Sequence, residues 1–169
     1  MEDLSFGEDR IFCNYYLALI DKIAVVSEPL YYYRKLPNSL SRGRFIADFE
    51  KAIHLYYKSR MDLAIEQSVN DNKFYVNHYR DYFLDMYNAF ENNMRKDAPG
   101  SLYQKISRNS KLLRSDEFKM TYPYRNAWPQ FFGKRYIFML EISYHTGSYF
   151  WLWLLSIPGK IKHAILGKK

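Results

Sequence analysis

A chain of 169 residues that is 48% hydrophobic can bury the core of one ordinary domain, and its seven Gly and six Pro are too few for a disordered or low-complexity chain. One cysteine, Cys13, excludes an internal disulfide and a Cys-based zinc site, and the four histidines at 54, 78, 145 and 163 lack metal-ligand spacing. The net charge of +7 is uneven: residues 1–99 carry 13 Lys/Arg against 15 Asp/Glu, residues 100–169 carry 12 against 3, and the +9 balance of the second part suits an anionic partner.

Gly7 to Ile20 reads as a helix, with Ile11, Phe12, Tyr15, Tyr16, Leu19 and Ile20 near a 3.6-residue period and the acids Glu8 and Asp9 at its N-terminal end. Ile23-Ala24-Val25-Val26 and Leu30-Tyr31-Tyr32-Tyr33-Arg34 read as two short strands parted by Pro29. Two such strands make no sheet of their own, so their edges call for completion by something else, such as another copy of the chain. Leu36 to Arg44 reads as a loop. Phe45 to Gln67 and Lys73 to Arg95 read as long helices whose aromatic stripes are the core of a helical hairpin. Shorter helices are expected at 102–108 and 111–118, a loop at Tyr122 to Pro129, and helices at 130–144 and 148–166, the last interrupted near Pro158-Gly159.

Three stretches carry chemistry: Leu4-Ser5-Phe6-Gly7-Glu8-Asp9-Arg10-Ile11-Phe12, then the run from Ile23 to Arg34, then Asn38-Ser39-Leu40-Ser41. In this order they resemble the C-terminal end of the catalytic domain of family-2 glycosyltransferases of the GT-A type. That family has a Gly-Glu-Asp-x-x-Phe motif opening a helix, two short strands ending in Tyr-Tyr-Arg, and a Ser-x-Ser/Thr loop. The resemblance covers Met1 to about Arg44, and the helical remainder, 45–169, is similar to the variable C-terminal extension of bacterial members. It implies polysaccharide biosynthesis, with transfer from a nucleotide-sugar to a glycan or lipid-linked acceptor. It also implies a catalytic role for Asp9, as the base that takes the acceptor's proton, with Glu8 in support. Without the flanking pattern, Glu8 and Asp9 would read only as charges favouring a helix start. Arg34, Arg42 and Arg44, in or beside the loop after the second strand, could approach the donor diphosphate or the acceptor; loop arginines are more often simply solvated.

No Asp-x-Asp occurs in the chain; the nearest pattern, Asp48-Phe49-Glu50, lies in an expected helix, where its carboxylates point about 200° apart. The family's donor-binding strand–helix units are not in this sequence either. The resemblance therefore implies Mg or Mn with the nucleotide-sugar only for a complete enzyme, no cofactor in this part, and little activity from this part alone. A fragment, a truncated gene product and one half of a split enzyme are all compatible with that pattern. The rival reading is a non-enzymatic helical module that binds a partner or a membrane.

Tyr149 to Leu155 is an apolar run with Trp151 and Trp153, too short to span a bilayer, and Lys160 and Lys162 follow it. Aromatics beside lysines suit a helix lying on an anionic membrane surface; a C-terminal helix docked on the core with a solvated basic end fits equally. Nucleic acid is disfavoured, because the Lys and Arg are dispersed and no helix-turn-helix or RNA-binding signature is present. The expected fold is mainly α, a helical bundle with a two-strand remnant of a GT-A sheet at its N-terminal end. The expected location is cytoplasmic, peripheral on the inner face of the cell membrane, since Met1 to Arg10 has no apolar leader and the lone Cys suits a reducing compartment.

Overall fold

The computed structural model describes residues 7–29, 44–127 and 133–155. Its elements are α1 (Glu8–Ala18), α2 (Phe49–Glu66), α3 (Asn72–Asn93), α4 (Leu102–Leu113), α5 (Asp116–Thr121), a 3-10 helix (Tyr122–Ala127) and α6 (Lys134–Thr146), with residues 150–155 also helical. The mainly helical fold is therefore present. The chain divides into two compact units, Met1–Asn72 and Lys73–Lys169. That division follows packing, whereas the boundary expected at residue 44 follows resemblance, and contacts between α1 and α2 cross it.

The strand remnant is not seen. Residues 22–27 form no strand among the described residues, and Ile23, Val25 and Val26 are exposed, Val25 at 91%. A β-branched run supplies propensity only; a strand also needs a ladder partner. No described segment offers one here. The second run, Leu30 to Arg34, lies outside the described residues.

In the first unit α1 packs on α2. Ile11 is buried, and Ala52, Ile53, Tyr57 and Ala64 form the buried stripe of α2 at the expected spacing. A polar clasp crosses the pair: Asn14 Nδ2 donates to Ser59 Oγ at 2.9 Å, while the Ser59 hydroxyl donates to the Tyr56 carbonyl at 2.8 Å. Burial of Ser59 is thus matched by hydrogen bonds.

The second unit is built around Phe118, whose ring lies 5.8 Å from Phe83, 5.5 Å from Phe90 and 6.2 Å from Tyr144. Ser115 places it there by capping α5, its Oγ accepting from Phe118 N at 3.2 Å. Helix α4 starts with a full capping box between Ser101 and Gln104 and runs unbroken to Leu113 across the gap expected between 108 and 111, and the break falls instead at 114–115, within the helix expected at 111–118. Asn109 explains the difference. It is fully buried, its Nδ2 donates to the Phe90 carbonyl at 3.1 Å, and its Oδ1 accepts from Asn93 Nδ2 at 2.9 Å. Contacts from α3 thus hold a weak helix former in mid-helix. Residues 122–127, expected as loop, form the 3-10 helix.

Tyr87, Tyr136 and Tyr149 gather near Glu91 in this unit. Burial, reinforced by the Glu91 charge, pushes all three phenols up, Tyr87 to about 12. A folded-state pKa above the unfolded value of about 10 means that the native state holds its protons longer than the unfolded chain does. The stabilisation is full below about pH 10 and is lost as pH rises through about 12. Thermal unfolding followed between those limits should show falling stability, with the tyrosinate absorbance of these three phenols appearing late in the folded protein. A flat profile with early ionisation of every tyrosine would contradict this packing.

Candidate functional site

The acid pair sits where the chain turns into α1. Gly7 holds φ 82°, ψ 6°, left-handed backbone that other residues rarely adopt, and a Cβ there would stand 3.7 Å from the Cβ of Ala52 on α2. The glycine of the Gly-Glu-Asp pattern thus meets a conformational demand. Glu8 and Asp9 follow it as the first two residues of α1, both exposed. Asp9 Oδ1 accepts from Arg10 N at 2.7 Å, which engages one of its two carboxylate oxygens. Arg10 is turned toward α2, its guanidinium 3.8 Å from the centre of the Tyr56 ring.

The pair is anchored from behind. Ile11 N donates to the Gly7 carbonyl at 3.3 Å, Ile11 is buried, and Asn14 is tied to Ser59. This arrangement presents two carboxylates on a supported helix start. The Arg10–Tyr56 and Asn14–Ser59 contacts were missed from sequence. Their only trace there is polar residues interrupting the apolar stripes, which does not identify partners.

Arg44 is exposed, five residues before the first residue of α2. Arg34 and Arg42 lie outside the described residues, as do Lys160 and Lys162. Trp151 is 37% exposed and Trp153 half-buried, both packed against the exposed Phe150 ring at 5.6 Å. Two buried serines seat this C-terminal helix: Ser110 Oγ accepts from Tyr149 N at 2.9 Å, and Ser143 Oγ from Leu152 N at 3.1 Å. Leu152 faces inward, while Phe150, Trp151 and Leu154 remain exposed. The described part of this helix is thus docked on one side and exposed on the other. No described helix is long and apolar enough to cross a membrane.

Among the described residues, no three His, Cys, Asp or Glu side chains come together as a cation site. Glu8 and Asp9 do not provide the donor set a divalent ion needs, so no metal is assigned to them. Compared with protein-family models, with curated proteins and with solved structures, the chain matches none.

Proposed function

We propose that this chain is the acceptor-side, C-terminal portion of a glycosyltransferase that moves a sugar from a nucleotide-sugar donor to a glycan or lipid-linked acceptor. The observation that carries the reading is the left-handed Gly7 followed at once by exposed Glu8 and Asp9 on an anchored helix start. Asp9 takes the proton of the acceptor hydroxyl as its oxygen attacks the anomeric carbon, and the nucleotide departs with the electron pair of the broken glycosidic bond. Glu8 orients the acceptor or the loop. Donor binding and any Mg or Mn belong to the nucleotide-binding half, because the chain has no Asp-x-Asp. The isolated chain should accordingly show no binding to UDP- or GDP-sugars by calorimetry with Mg²⁺ or Mn²⁺, and micromolar binding would contradict this division of labour.

A second reading, attachment of the chain to an anionic membrane surface, is favoured by the exposed Phe150, Trp151 and Leu154. It is compatible with the first when the acceptor is lipid-linked. Lysines near an anionic leaflet contribute about 1 kcal/mol each, so Lys160 and Lys162 give weak binding that salt screens. Co-sedimentation with anionic vesicles should be seen at low salt and fade at high salt; a chain that stays in the supernatant at low salt refutes it.

A further inference from the structure

A groove of about 420 Å³ lies along the first turns of α4, lined by Pro99, Gly100, Tyr103, Ser107, Arg108 and Lys111. We propose that this groove binds a phosphate group, carried either by a small soluble molecule or by a lipid headgroup. The inference is independent of the sugar-transfer reading.

The lining matches that chemistry. Helix α4 contains no Asp or Glu, and Arg108 and Lys111, three residues apart, lie on neighbouring turns of one face. The nearby acid Asp97 is engaged by Arg95 at 3.2 Å, and Lys105 donates to the Arg95 carbonyl at 2.6 Å, so the groove's own positive charge comes from Arg108 and Lys111. Arg108 Nη2 donates to the Pro99 carbonyl at 3.3 Å. That bond steadies the guanidinium at the rim, so less side-chain freedom is lost when an anion arrives. Arg supplies a planar fork and Lys a mobile point charge, a pairing suited to a tetrahedral oxyanion.

The floor is kept open by glycine. Gly100 has φ 96°, and a Cβ there would lie 2.8 Å from Gln104 Oε1, the atom that accepts from Ser101 N in the capping box. A side chain at 100 would both strain the backbone and displace that cap. Ser107 lines the same groove, and a serine hydroxyl can donate to a phosphate oxygen. Tyr103, 80% exposed, stands at the edge as a ring with little packing of its own, able to cover the organic part of the ligand.

The test is an amide NMR titration of the full chain with inorganic phosphate and, in a second arm, with phosphatidylglycerol vesicles, at constant ionic strength. Saturable shifts centred on Gly100, Tyr103, Gln104 and Ser107 are expected in at least one arm. A response to phosphate identifies a soluble ligand as sufficient, and a response to vesicles alone identifies the lipid headgroup. Lys111→Gln should weaken the response roughly threefold to fivefold, as for an exposed ion pair, and Arg108→Gln should weaken it further. Lys111 is exposed, so its variant keeps the test valid even if Arg108→Gln perturbs folding. Absence of saturable shifts in both arms overturns the proposal. So does a response spread evenly over all basic segments, or one that Lys111→Gln leaves unchanged.

Discussion

Under the proposed sugar-transfer function, replacing Asp9 by Asn in the complete enzyme is expected to lower transfer by roughly two to four orders of magnitude, the usual worth of a general base, while donor affinity stays nearly constant. The substitution is sparing in structural terms. An Asn Oδ1 can still accept from Arg10 N, the bond now made at 2.7 Å, so the helix start keeps its geometry and loses only a basic oxygen. Removing the charge from the first turn of α1 costs about 0.3–1 kcal/mol, too little to unfold a domain of ordinary stability. Turnover measured beside a thermal melt separates the two effects. Wild-type turnover by Asp9→Asn would remove this carboxylate from the mechanism, and Glu8→Gln should cost less.

Phe118→Ala is expected to have the largest effect on stability, about 3–5 kcal/mol. The side chain has no exposed surface and meets rings from α3, the 3-10 helix and α6. Truncation leaves a cavity that rigid aromatic neighbours cannot collapse into. Such a loss is a large part of the 5–15 kcal/mol that holds a typical domain together. Chemical denaturation should show a lowered midpoint for Phe118→Ala, with Phe118→Leu between it and wild type. Near-wild-type stability of the Ala variant would mean that the second unit is centred elsewhere.

The long helices were legible because a 3.6-residue apolar period is a local signal. Ile53, Tyr57 and Ala64 on α2, and Phe83 and Phe90 on α3, are buried as that period requires. What was not legible depends on distant partners. Asn109 reads as a helix break until Asn93 and the Phe90 carbonyl satisfy it. Ile23 to Val26 reads as a strand because β propensity is local, but a ladder is not, and the segment lies exposed without one. At the candidate site, Gly7, Glu8 and Asp9 could be found as a pattern. The left-handed turn at Gly7, the Arg10–Tyr56 contact and the Asn14–Ser59 clasp required the fold of α1 against α2. The groove beside α4 was hidden for the same reason, since Pro99 and Arg108 meet only after the turn at Gly100 forms.

Product analysis by mass spectrometry tests whether the chain serves sugar transfer through Asp9. The complete enzyme, wild type and Asp9→Asn, is incubated with UDP- and GDP-sugars, a divalent cation and glycan or lipid-linked acceptors. An acceptor heavier by one sugar is expected with wild type and only a trace of it with Asp9→Asn, at equal donor binding. Equal product from both proteins would contradict this role, as would donor binding without transfer to any acceptor by the wild type.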